Sequence, residues 1–143
     1  MLLGEAMERI DASWRRLWDT IGVAGPRDLE RPGPDGGWSV KDVLGHLAYW
    51  EEWCLRRMRG GAPVADLDVD RINAEQVAAR RALPVERVRA DLERGHATLV
   101  HELHNLTPLQ LEEGTAPGGW LAANTWEHYD EHRDQVATIL PHM

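Results

Sequence analysis

Apolar residues recur at intervals of three and four through four long stretches of this chain, and nowhere do they alternate long enough to make a strand. That is the period of an α-helix, so the chain must bury helix faces against other helix faces. In the first stretch Leu3, Met7, Ile10, Trp14, Leu17 and Ile21 share a side, and Glu5 and Glu8 suit the positive end of the helix dipole. This predicts a helix over residues 2–21, ended by Gly22, Gly25 and Pro26. Residues 22–38 read as a turn-rich connection, because the run from Arg31 to Gly37 is dominated by Pro and Gly.

Ser39 then caps a second helix from Val40, with Asp42 three positions on in a near capping box. Val43, Leu47, Trp50, Cys54 and Met58 form its main stripe, and Asp42, His46, Tyr49 and Trp53 a second row beside it. Residues 60–69 read as a loop, and a weaker helical stretch over 70–81 is too poor in apolar residues to lie anywhere but on the bundle surface. Pro84 opens a third core helix, with Val85, Val88, Leu92, His96, Leu99, Leu103 and Leu106 on one face down to residue 105 or 106. Thr107 and Pro108 start a short helix through Glu113, residues 114–119 turn, and a last helix runs over 120–140 until Pro141 stops it. The expected fold is all-α: a four-helix bundle with long connections and one or two extra short helices, in a single domain over residues 1–143. Long connections leave the order of the helices in space open.

The formal charge of -8 and the lack of a basic stripe speak against docking on a phosphate backbone or an anionic membrane. The expected partner is therefore a small-molecule substrate, with no nucleic acid and no membrane. Arg56, Arg57 and Arg59 beside Gly60 and Gly61 read as a solvated helix end. A single cysteine, Cys54, allows no intramolecular disulfide. Nothing near Met1 resembles a signal peptide, and no run approaches the roughly 18 apolar residues of a membrane span. A cytoplasmic protein is the expectation.

His128 and His132 lie one helical turn apart, on the side of the last helix that also carries Leu121, Thr125, Tyr129, Val136 and Ile139. Two readings fit that placement. They are two legs of a metal site reached from one helix, or they are core-edge histidines satisfied by backbone carbonyls or water. His46, at the rim of the second helix's buried face, supplies a third imidazole, and three His with an open position describe a catalytic divalent site better than a closed structural one. Glu93 and His96 make one Glu-x-x-His pair, but a di-iron carboxylate bundle needs two, so His96 reads as a core or supporting residue. His101 and His104 point away from the stripe, and His142 lies in the tail. The run from His101 to His104 lacks the zinc-protease spacing, and Cys54 reads as buried and inert. Seven Trp against no Phe suit half-polar pockets as well as cores.

Two blocks carry a resemblance. GWSVKDVLGHLAYWEEW over Gly37–Trp53 and NTWEHYDEHRDQV over Asn124–Val136 resemble the DinB-like superfamily of four-helix-bundle metalloenzymes. RINAEQVAARRALPVERVRADLERGHATLVHEL over Arg71–Leu103 is most similar to its ClbS/DfsB-like branch. The resemblance implies a divalent metal, nickel or zinc, held by His46, His128 and His132, and a low-molecular-weight thiol such as bacillithiol or mycothiol as cosubstrate. It also implies a homodimer and chemistry of the detoxification type, since the ClbS branch protects against a reactive electrophilic metabolite. Asp42, Tyr49, Trp53, Asn124 and Trp126 are the pocket candidates, each within one or two turns of a ligand, and Asp42 and Glu131 are the nearest groups to fix the imidazole tautomers. Two functions remain in play: a metal-dependent thiol transferase or hydrolase, and a non-catalytic small-molecule binding or sequestration protein.

Overall fold

Helix α1 (Leu3–Ile21) buries Ala6, Ile10, Ser13, Leu17 and Ile21, the spacing its sequence dictates. Gly22 closes it by donating its amide to the Trp18 carbonyl at 2.7 Å. The computed structural model describes residues 1–61 and 67–140; residues 62–66 of the expected loop, and Pro141 and His142, lie outside the described residues. The connection after α1 is less irregular than its composition suggests. It contains one helical turn, α2 (Pro26–Leu29), which buries Leu29, and a 3-10 turn at Pro34–Gly36. Proline at a first-turn position starts a short helix as readily as it breaks a long one.

Helix α3 (Val40–Met58) begins with a reciprocal cap. Ser39 Oγ accepts the Asp42 amide at 3.1 Å, and Asp42 Oδ2 accepts the Ser39 amide at 3.1 Å. Fourteen of its nineteen residues are buried, which makes it the central helix, covered on several sides at once. Helix α4 (Val69–Arg80) buries only Val77 and lies on the surface, but two contacts hold it against α3. Trp50 Nε1 donates to Asn73 Oδ1 at 2.7 Å. Gly45 lets the Arg80 stem lie directly on α3, where a Cβ would come within 2.6 Å of Arg80 Cδ.

Helix α5 (Val85–Glu102) buries Val85, Val88, Leu92 and Leu99 and tightens into a 3-10 turn at Leu103–Asn105. Helix α6 (Pro108–Thr115), capped by Thr107 and Gln110, runs two residues beyond Glu113. The last helix starts later than its apolar period implies: α7 spans Trp126–Ile139, and Trp120 to Asn124 precede it in a turn. The break sits at Thr125, with φ -123° and ψ -106°. Its hydroxyl donates to the Leu121 carbonyl at 2.7 Å, and Asn124 Nδ2 donates to the Trp120 carbonyl at 2.7 Å. These side-chain bonds replace helical ladder bonds and reset the chain's direction before α7. No strand occurs among the described residues.

Helix α1 packs on α7 and α3 on α5, and α3 also meets α7. Trp14 stacks on His96 at 3.6 Å with the rings parallel, which joins α1 to α5. The four long helices therefore follow one another as α1, α7, α3 and α5 around the core, and the long connection after α1 lets α1 and α3 sit on a diagonal. At the centre lies a polar contact drawn from all four. The Glu51 carboxyl of α3 is 1% exposed; Tyr129 of α7 donates to its Oε1, and His96 Nδ1 of α5 lies 3.1 Å from the same atom. Trp14 of α1 covers His96 from the other side.

Glu51→Ala leaves the buried Tyr129 hydroxyl and the half-buried His96 ring without their shared acceptor. It is expected to cost about 2–4 kcal/mol in urea unfolding, whereas Glu51→Gln, which keeps an acceptor oxygen, costs less than half of that. Equal losses for the two variants would mean that Glu51 fills space rather than pairing.

Candidate metal centre

Three histidines from two helices meet on the side of α3 away from Glu51's partners on α1 and α5. His46 comes from α3, and His128 and His132 come from successive turns of α7. The three rings stand edge to face in pairs, with centroids 4.8, 4.7 and 4.6 Å apart. One ligand nitrogen from each lies within 4.8 Å of the others, and His46 Nε2 is 2.9 Å from His128 Nε2. All three side chains are buried, at 7%, 8% and 8% exposure.

Burial decides their protonation. It is the largest cause pushing His46 down to about 4, with the neighbouring His132 adding to it. His128 is held well below the ordinary histidine value by burial and then by His132 and His46. His132 is lowered too, burial outweighing its bond to Gln135. Three neutral imidazoles therefore converge near pH 7. Gln135 Oε1 only accepts, so His132 Nδ1 carries the hydrogen of their 2.7 Å bond and Nε2 keeps its lone pair. His46 Nδ1 and His128 Nδ1 are buried without a partner among the described residues. Neutral nitrogens converging from three rings form a donor set that suits a divalent transition ion and leaves coordination positions to a ligand.

The triad opens on a cavity of about 650 Å³, walled by Trp38, Trp50, Val69, Asn73, Asn124, Glu131 and Gln135. Among the five pocket candidates read from the sequence, Asn124 lies on this wall and the other four lie elsewhere. Asp42 is engaged in the α3 cap and sits 3.9 Å from Arg81, in a separate depression. Tyr49 and Trp53 pack around Trp50, at 5.1 and 5.9 Å between ring centroids. Trp126 faces α1, where Arg9 lies over its ring at 5.8 Å. Distance along a helix placed these residues near a ligand, but the direction of the side chain decides what it lines.

Trp50 and Gln135 were legible, one turn from His46 and from His132 respectively; Val69 and Asn73 come from α4, which no local spacing could bring here. The tautomer is fixed by Gln135 rather than by Asp42 or Glu131. His101 and His104 are exposed, and Cys54 is fully buried, its thiol pushed up by burial and then by Glu51. Among the described residues no helix is long and apolar enough to cross a membrane.

Residues 10–132 match the family described as the mycothiol maleylpyruvate isomerase N-terminal domain. No curated protein sequence matches the chain. Among solved structures, the fold is similar to that of the colibactin self-resistance protein ClbS in complex with a dsDNA, with a TM-score of 0.78 and 14% identity over 99% of this chain and 96% of that one. It is also similar to an uncharacterised protein from Escherichia coli UTI89, with a TM-score of 0.73 and 17% identity over 94% of this chain and 90% of that one. The ClbS complex corrects one expectation: a chain of this fold has been solved on duplex DNA, so nucleic acid is not excluded as a partner class. The charge argument failed because a net sum says little about local fields.

The lowered histidines set a pH dependence. Their folded values lie below their unfolded ones, so between 6.5 and about 4 the unfolded chain binds more protons. The contribution of His46 to the stability of metal-stripped protein, about 3 kcal/mol, is therefore lost as pH falls through that window, and His128 and His132 act in the same direction. Thermal unfolding across the window should show a falling midpoint, with a shallower fall in His46→Gln. A flat wild-type profile would contradict the burial argument.

Proposed function

The chain belongs to the family of the mycothiol maleylpyruvate isomerase N-terminal domain, and from that premise we propose that it is a divalent-metal-dependent enzyme acting on an electrophilic small molecule. The nucleophile is a low-molecular-weight thiol or water, and the chemistry is thiol transfer or hydrolysis of the detoxification type. The observation that carries this reading is the meeting of three neutral, buried imidazoles at the wall of a cavity. His46, His128 and His132 hold the ion, nickel or zinc. When bound, the ion supplies the Lewis acidity that lowers the pKa of a thiol or water beside it.

The remaining roles fall to the chain itself. Gln135 holds the His132 ring and its tautomer. Trp38, whose ring lies 5.0 Å from His46, and Trp50 keep water from one side of the site and receive the apolar body of a substrate. Asn124 offers an amide oxygen to a substrate donor. Asp42, Tyr49, Trp53 and Trp126 act at one remove, by capping α3 and packing the helices that present the ligands. The enzyme works as a homodimer, which sedimentation equilibrium reads directly.

Two second readings each have an observation behind them. The two indoles and the apolar wall suit a protein that binds or sequesters a small molecule without turning it over. The duplex held by ClbS suggests DNA contact, which would appear as retention of a duplex oligonucleotide at low salt and its release as salt rises.

Elemental analysis of untagged protein is expected to give about one nickel or zinc per chain, and His132→Ala to lower its retention on dialysis by at least about tenfold. The same variant should lose chelator-sensitive turnover in a screen of thiols against electrophiles. Unchanged turnover in metal-restored His132→Ala would falsify the enzyme reading, and a pure protein that takes up no ion would leave the sequestration reading in its place.

A further inference from the structure

The cavity wall around the triad has a pronounced charge bias. Among the described residues it carries neither Lys nor Arg. Among the described residues its one carboxylate is Glu131, exposed on α7 directly before His132. Three further groups favour the same ligand, whereas Asn73 and Gln135, whose side-chain oxygens are taken by Trp50 and His132, present amide donors but no charge. Trp38 and Trp50 bring indole rings, whose faces attract cations. Asn124 commits its Nδ2 to the Trp120 carbonyl at 2.7 Å, and its Oδ1, an acceptor, has no partner among the described residues.

A ligand carrying a carboxylate or phosphate would meet no counter-charge from this wall and would face Glu131. A ligand carrying an ammonium group would find a carboxylate, an amide oxygen and aromatic faces. Resting on the metal-site reading, we infer that the site selects a thiol with a cationic amine close to its sulfur, and that Glu131 is the residue that sets this preference. The ion's own charge acts on the tail of every thiol, so the share that belongs to Glu131 is a difference between two ligands and between two proteins. Because Glu131 is exposed its field is partly screened, and the effect is a preference that fades with salt rather than an absolute filter.

The full chain loaded with cobalt(II) reads this without any turnover. It is titrated with 2-aminoethanethiol, which is cationic, and with 3-mercaptopropionate, which is anionic, and the thiolate-to-cobalt charge-transfer absorbance gives each Kd. In both titrations a sulfur–cobalt bond forms as the thiol proton leaves to buffer; the tail also alters the thiol's acidity, which is the same for every protein and cancels when the affinity ratio is compared between wild type and variant. Wild type is expected to bind the amine more tightly. Glu131→Gln should lower the ratio of the two affinities by roughly fivefold at low salt, and Glu131→Lys should lower it further. Both substitutions sit on an exposed position and should leave cobalt uptake intact. A wild-type ratio that stays the same in both variants overturns the role of Glu131 and leaves the metal site standing. Wild type that takes up no cobalt overturns the metal site and this inference with it.

Discussion

A carboxyl group taken as far from water as Glu51 costs several kcal/mol unless its neighbours answer it. The answer here comes from every other long helix. Tyr129 of α7 and His96 of α5 meet the same oxygen, and Trp14 of α1 stacks on His96. Apolar faces alone tolerate a turn of slip between helices, since one leucine fits nearly where another did. A single buried acceptor does not, because a slip strands it. Burial drives the Glu51 carboxyl above the usual range, against the pull of His96 and Tyr129, so the contact is under tension between desolvation and pairing.

The same contact determines where the histidines stand. Tyr129 follows His128 directly on α7, and Glu51 lies five residues beyond His46 on α3. Registering Tyr129 on Glu51 therefore also registers His128 on His46, on the opposite side of the α3–α7 seam, where their Nε2 atoms come to 2.9 Å. A core pairing and a candidate metal centre are in this sense two faces of one helix alignment. Fixing the alignment with groups that the site does not use leaves the imidazoles free to turn toward a ligand.

Helix content and the core faces were open to reading because they rest on a local period. The histidine spacing on α7 was open for the same reason. Glu51 was within reach as well: it continues the stripe of Leu47, Cys54 and Met58, yet beside Glu52 it looks like half of a solvated pair. The start of α7 was misplaced because Leu121 and Ala122 are buried as a helix would bury them, while side-chain bonds from Asn124 and Thr125 hold them in a turn. The cavity wall was the least accessible part. Val69 and Asn73 of that wall come from α4, whose own sequence has almost no amphipathic pattern and which is located by Trp50 and Gly45 on another helix.

That wall bears on the blander account of the triad, in which the histidines are polar residues at a core edge, satisfied locally. Such residues ordinarily turn a ring N–H to a backbone carbonyl. None of the three does so among the described residues. His132 gives its Nδ1 hydrogen to a side-chain amide, and His46 and His128 keep Nδ1 buried without a partner while bringing their Nε2 atoms together. A fold that needed only to hide three imidazoles would pay each one's hydrogen bonds separately. Here two Nδ1 atoms go without a partner, and one ring nitrogen of each histidine lies within 4.8 Å of the others beside a cavity, a grouping that local satisfaction of each ring does not require.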